Sequence, residues 1–315
     1  MNSVESPLLS RGRHFCREVF KHRWFYLLLL PAMAFFIIFR YIPMYGITLA
    51  FKDFRVVDGI MASPWASPIF KYFERAFSSD LFRRSLTNTL VISFLKIIVA
   101  FPIPIILALL IDELPGTKFK KTVQTVSYMP YFMSWVVLGG IMRALLSPSY
   151  GAVNYVIQAL GGSPIHFLGE ASMFRSVVFF SHIWQSAGYG TIVYLAAIAG
   201  IDQEQYEAAR IDGANRFQTI MRITIPSIAP TILTMLILNV GSIMSAGFDQ
   251  IFNLYSPVTY ATGDIIDTYT YRVGMVNMEY SYSTAVSLFQ NLIGLTLALV
   301  TNFAAKKLDP DAGLL

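Results

Sequence analysis

The chain has 315 residues, of which 55% are apolar or aromatic and only 14% charged, where soluble domains carry about 25% charged residues. A mean hydropathy of +0.55, with 25 Phe, 17 Tyr and 13 Met, leaves too little polar surface to face water on all sides, which excludes a soluble enzyme. The net charge of +5 reads as loop topology and not as nucleic-acid affinity, and the single cysteine, Cys16, excludes an intramolecular disulfide and a Cys-x-x-Cys metal site.

A bilayer span takes about 20 mainly apolar residues. Six stretches qualify, at 24–42, 86–111, 122–146, 173–200, 230–248 and 283–305. They predict an all-α integral membrane protein with one transmembrane domain over 24–305, between a basic segment 1–23 and a tail 306–315. The first stretch follows Arg17, Lys21 and Arg23 and runs into Arg40, Tyr41 and Pro43, which marks a retained helix and not a cleaved leader. In the loop that follows, Ile69, Phe70, Phe73, Phe77 and Leu81 recur at helical spacing and predict an amphipathic helix on the membrane surface. Pro102 and Pro104 predict a bent second span that faces the bundle. Gly139, Gly140, Gly188 and Gly190 predict close helix packing.

The basic residues alternate from loop to loop, except in the long first loop, 43–85, where Lys52, Arg55, Lys71, Arg75, Arg83 and Arg84 are mixed with Asp53, Asp58, Glu74 and Asp80. Arg11, Arg13, Arg17, Lys21 and Arg23 precede the first span; Lys118, Lys120 and Lys121 follow the second; Arg210, Arg216 and Arg222 follow the fourth; Lys306 and Lys307 follow the sixth. The intervening loop 147–172 has no Lys or Arg, and 249–282 has only Arg272. The positive-inside rule therefore predicts that both termini are cytoplasmic.

Between the fourth and fifth stretches, segment 202–226 reads as helix, turn, helix. Helix formers from Gln203 to Ile211 stop at Gly213, which can take a positive φ, and an amphipathic piece with Ala214, Phe217, Ile220 and Met221 runs to Pro226, which is expected to end it. Exposed Phe217 and Ile220 suit docking into a groove of another protein, or else an ordinary interfacial helix. The segment resembles the EAA loop of ABC-transporter permeases in Glu207-Ala208-Ala209, Gly213, Ile223 and Pro226, with Ile225 where that pattern has Leu. Its place after the fourth of six spans is similar to that in carbohydrate-type permeases of the binding-protein-dependent importers. The resemblance implies a type I ABC importer permease fold in a bacterial inner membrane. In that fold Glu207, Ala208, Ala209, Gly213, Phe217, Ile223 and Pro226 belong to a coupling helix seated on a cytosolic ABC ATPase dimer. It also implies a second homologous permease subunit, an extracellular or periplasmic substrate-binding protein, and alternating access. ATP and Mg would be bound by the ATPase partners, with no cofactor in this chain. The stretch from Tyr41 to Phe54 resembles the LplB-like branch of these permeases, which is associated with complex oligosaccharides, including acidic ones derived from alginate and pectin.

No GxxxxGK[ST], HExxH, GxSxG or cysteine cluster occurs, and His14, His22, His166 and His182 are scattered, so the sequence assigns no catalytic residue and no metal site. His182 is either a packed residue or a proton relay and is assigned no site. An ion-gradient-driven secondary sugar transporter is the alternative; against it stand the sparse acids in the spans and the lack of an evident inverted repeat.

Sugars are bound by hydrogen-bonding side chains and aromatic faces. Polar and aromatic candidates for a substrate pathway are Asn88, Trp135, Trp184, Gln185, Tyr189, Asn239, Ser242, Ser245, Asp249, Gln250 and Asn253, each of which can equally be helix-packing glue. Spacings of three and four predict that Asn239, Ser242, Ser245, Asp249 and Asn253 share one helix face lining that pathway. Lys96, Arg143 and Arg175 are candidate counter-charges for an acidic oligosaccharide. The arginines can instead snorkel to headgroups, and Lys96 can pair with an acid on the second permease.

Overall fold

The computed structural model describes residues 21–308; Arg11, Arg13, Cys16, Arg17 and the last residues of the tail lie outside the described residues. In chain order the principal helices are α1 (Arg23–Phe51), α2 (Lys71–Ser78), α3 (Asp80–Asp112), α4 (Thr117–Tyr128), α5 (Trp135–Leu145) and α6 (Ala152–Ala159). They are followed by α7 (Ala171–Ala199), α8 (Gln203–Ile211), α9 (Arg216–Gly241), α10 (Phe248–Leu254), α11 (Ile266–Tyr271) and α12 (Tyr280–Lys307). Among the described residues no strand forms beyond an isolated bridge between Lys52 and Trp65. The all-α membrane architecture is the one expected from composition.

The count of spans is less simple. Helices α1, α3, α9 and α12 are long and apolar enough to cross a membrane. The fourth expected span is the single 29-residue α7, but the third, 122–146, is two helices. Pro130 opens a 3-10 turn over Met129–Phe132, and extended Ser134 restarts the chain by accepting the Val137 N–H at the head of α5. The fifth is displaced. Helix α9 starts at Arg216 and ends at Gly241; α10 begins only after Gly247, at φ +99°.

Pro226 does not end its helix. A π turn over Ile220–Thr224 precedes it, as π turns over Ile37–Tyr41 and Lys96–Ala100 precede Pro43 and Pro102. Proline removes one N–H and pushes against the carbonyl four residues back, and a widened turn absorbs both effects without breaking the helix.

Helix α2 forms where expected, yet part of its apolar face packs inward: Phe73 lies against Phe51, and Phe77 against Phe82 and Phe289. Nearby, Asp53 accepts from the Tyr72 hydroxyl at 2.7 Å and from Lys71 at 2.9 Å, and these bonds hold its carboxyl below the ordinary value. The glycines behave unevenly. A Cβ on Gly188 would collide with the Ser127 carbonyl, one on Gly190 would sit 3.0 Å from the Pro104 ring, and one on Gly139 would sit 3.1 Å from the Asn253 carbonyl, whereas Gly140 faces open space.

The segment between α10 and α12 is tied down by a buried ion pair. Asp264, with no exposed surface, accepts from both Nη atoms of Arg272 at 3.1 and 2.6 Å, and from Ser85 and Thr268 at 3.3 and 2.9 Å. Asn88 donates to its backbone carbonyl at 3.1 Å. Arg272→Leu strands the carboxylate and is expected to cost about 3–5 kcal/mol. Thermal unfolding in detergent checks this, with Asp264→Asn/Arg272→Leu expected to recover part of the loss.

Candidate functional site

A cavity of about 590 Å³ opens between α3, α5, α7, α9 and the break before α10, a size suited to a small organic ligand. Of the residues expected along a pathway, Trp135, Gln185, Tyr189, Asn239, Ser242, Ser245 and Gln250 line it. Asn88, Trp184, Asp249 and Asn253 do not. Because the helix ends at Gly241, the five residues from Asn239 to Asn253 share no single face; Asp249 and Asn253 belong to α10, where the Asn253 amide donates to the Asp249 carbonyl at 2.8 Å. Asn88 is buried and accepts from Arg175 at 2.8 Å. Trp184, 45% exposed, does not border the cavity.

Neither arginine takes the place expected of it. Arg143 donates to the Asn253 carbonyl at the end of α10 and Arg175 to the Thr262 carbonyl at 3.2 Å, so both fasten other parts of this chain and neither lines the cavity. Lys96 does line the cavity. Its Nζ donates to the Ala246 carbonyl at 2.7 Å and to Gln250 Oε1 at 2.8 Å, and the Gln250 amide is itself held by the Val178 carbonyl at 2.6 Å and Ser181 at 2.9 Å.

Sequence reasoning missed Tyr131. Its ring stacks on Tyr189 with centroids 3.8 Å apart and planes within 2°, and both rings border the cavity. The available signal was Pro130, which places Tyr131 in a turn and not on the outer face of a helix. His182 also borders the cavity.

At the other end of α7, the α8 and α9 junction has the expected helix-turn-helix form. Asp202 caps α8 by accepting from Glu204 at 3.0 Å; Gly213 turns the chain at φ +76°; Asn215 and Gln218 form a reciprocal capping box at the head of α9. Phe217 is 71% exposed and Ile211 87%. Glu207, Ala208 and Pro226 are exposed, while Ala209, Ile220 and Ile223 are half-buried, so Ile220 is less available for docking than expected. Tyr206 packs on the cluster of Ala108, Tyr194, Ile198 and Ile228, and its hydroxyl meets that of Thr224 at 3.1 Å. No group of three or more metal-ligating side chains occurs among the described residues.

A polar, aromatic-lined cavity inside an apolar helical bundle, with an exposed helical hairpin joined to its walls, defines a membrane transport subunit. Residues 76–313 match the binding-protein-dependent transport system inner membrane component family, and the chain belongs to it. It is 40% identical over 98% of its length to protein LplB of Bacillus subtilis (strain 168), spanning 96% of that protein. It is likewise 40% identical over 93% of its length to the polygalacturonan/rhamnogalacturonan transport system permease protein YteP of the same strain, spanning 91% of it. Among solved structures it is similar to a chain of a bacterial ABC transporter involved in the import of the acidic polysaccharide alginate, with a TM-score of 0.88 and 38% identity over 94% of this chain and 99% of that one. A second match, at TM-score 0.86 and 38% identity over 93% of this chain and 97% of that one, is to a bacterial alginate ABC transporter in complex with an alginate pentasaccharide-bound periplasmic protein.

Gly247 holds a left-handed backbone against the cavity wall, and a Cβ there would sit 3.0 Å from Lys96 Nζ. Gly247→Ala is expected to cost about 1–2 kcal/mol from the backbone alone, read as a lowered melting temperature of the purified protein in detergent.

Proposed function

We propose that this chain is the membrane-spanning permease subunit of an ATP-driven importer of oligosaccharides, including acidic ones of the alginate or pectin type, working by alternating access. The observation that carries this reading is full-length likeness, at 38% identity and TM-score 0.88, to a subunit of an importer of an acidic polysaccharide. The cavity supports it with the combination sugars require: amide and hydroxyl groups from Gln185, Asn239, Ser242 and Ser245, and flat faces from Tyr131, Tyr189 and Trp135.

In this reading the subunit is non-catalytic, because it lacks a phosphate-cradling loop. A cytosolic ABC ATPase dimer holds ATP and Mg, a second homologous permease completes the pathway, and a periplasmic binding protein delivers the sugar. Both termini face the cytoplasm, the transmembrane domain covers 24–305, and the coupling loop is 202–226. Helix α8 and the turn at Gly213 dock on the ATPase, presenting Ile211 and Phe217. Glu207, Ala208 and Ala209 form part of the same docking surface, and Ile223 and Pro226 carry the displacement into α9. The Tyr206 contacts supply the lever, since they join α8 to α7, α3 and the π turn of α9, so that a push on the hairpin moves these walls together.

Two substitutions in the assembled complex test the assignment. Gly213→Pro cannot adopt the observed positive φ, and Phe217→Asp puts a charge on the docking face. Each is expected to abolish ATP-driven uptake and the stimulation of ATP hydrolysis by loaded binding protein, with normal amounts of chain in the membrane. Undiminished uptake in either would remove the coupling role. Uptake into proteoliposomes that needs an ion gradient and no ATP would overturn the importer reading itself.

A further inference from the structure

Lys96 lines the cavity, and among the described residues the lining contains no Asp or Glu. Two of its three ammonium protons go to neutral acceptors, the Ala246 carbonyl and Gln250 Oε1, and no ion pair involves it among the described residues. Gln250 is 1% exposed and locked by its bonds to Val178 and Ser181, so the ammonium is held in one place and not left to swing. A cation inside an apolar bundle is costly without an opposite charge, and such residues face cavities whose contents supply one.

A second observation points the same way. Ser93 lies one helical turn before Lys96, borders the same cavity and is 4% exposed, yet its hydroxyl has no hydrogen-bond partner among the described residues. Buried polar atoms are nearly always paired, so the orphan hydroxyl of a residue that borders the cavity calls for a partner, which it meets by a turn of the Ser93 side chain toward the cavity because the hydroxyl itself is enclosed.

We propose that Lys96 and Ser93 together form the carboxylate-recognising point of the cavity and make this permease favour oligosaccharides of uronic acids over neutral ones. The inference rests on the reading of the chain as an oligosaccharide importer. The ammonium donates to one carboxylate oxygen and the hydroxyl to the other, both charge-assisted bonds, whereas a hydroxymethyl group in the same position brings one neutral oxygen and leaves the ammonium without a counter-charge.

The test uses the complete transporter, with its second permease, ATPase and binding protein, in proteoliposomes. The probes are an alginate trisaccharide and the same trisaccharide with its carboxylates reduced to hydroxymethyl groups. Lys96→Gln removes the charge, and Ser93→Asp keeps the lysine but neutralises it from one turn away. Both are expected to lower uptake of the acidic sugar relative to that of the neutral one by about tenfold or more. Lys96→Arg is expected to keep the acidic preference. The proposal is overturned if both neutralising variants import the acidic sugar at the wild-type rate, or if they lose the two sugars in equal proportion. A wild type that imports only the neutral sugar overturns the carboxylate assignment and leaves the importer standing, whereas a wild type that imports neither with ATP overturns both.

Discussion

Where the chain leaves α9 at Gly241, the carbonyls of Met244 and Ala246 lose their helical partners inside a bundle whose surroundings offer no water to replace them. Donors must come from other helices. Gln290 on α12 reaches the Met244 carbonyl at 2.7 Å, and Lys96 on α3 reaches that of Ala246 at the same distance. The same rule governs the loops on either side. Arg143 meets the carbonyl of Asn253, Arg175 that of Thr262, and Asn88 that of Asp264. Much of the polar character of the spans is therefore the cost of carrying irregular backbone through an apolar bundle. Some of these groups also border the cavity: Gln185 donates to the Tyr131 carbonyl at 3.4 Å, Asn239 to that of Met235 at 2.8 Å and Ser242 to that of Asn239 at 3.0 Å, and Ser245 and Ser93 stand beside them.

The irregularities also define where the structure can bend. An unbroken helix transmits displacement along its axis, while a π turn holds a wide loop of backbone whose register is less firmly set. Thr224, the last residue of the π turn in α9, is the one that Tyr206 of α8 touches. The hairpin is thus joined to α9 at its most adaptable point and to α7 and α3 through close apolar packing. Gly188 and Gly190 let α7 approach Ser127 and Pro104 so closely that a methyl group would not fit freely. On the coupling role proposed above, helices in such contact would move as a body, and a shift at α8 would reach the cavity wall at Gln185 and Tyr189 without a separate relay.

Composition and hydropathy made the helical membrane class legible, and apolar length bounded α7 and α12 to within three residues, while α1 runs on beyond the expected end to Phe51 and α3 begins before the expected start, at Asp80. The hairpin was legible too, because Asp202, Gly213 and Asn215 are local signals that act on their immediate neighbours. The breaks at Met129–Phe132 and after Gly241 were not, since an apolar run of some 20 residues looks the same whether it is one helix or two. Pro226 misled for the opposite reason: proline ends helices in water, but a π turn and neighbouring helices keep one intact here. The roles of Arg143 and Arg175 depend on partners 110 and 87 residues away, and periodicity carries no information about such pairs.

Lys96 was singled out from its charge alone, and it lines the cavity beside the break before α10. A neutral amide would suffice to satisfy the Ala246 carbonyl, as Gln290 does for Met244, so backbone satisfaction does not by itself call for an ammonium group. In the proposal made above, the charge serves an anion that enters the cavity. On the assignment of Lys96 as partner of a substrate carboxylate, one group serves both the bound sugar and the break between α9 and α10. An anion that draws the ammonium toward itself weakens its hold on Ala246. Substrate then binds differently to the two arrangements of that break, and this difference in affinity is the only means by which a ligand can shift a conformational equilibrium.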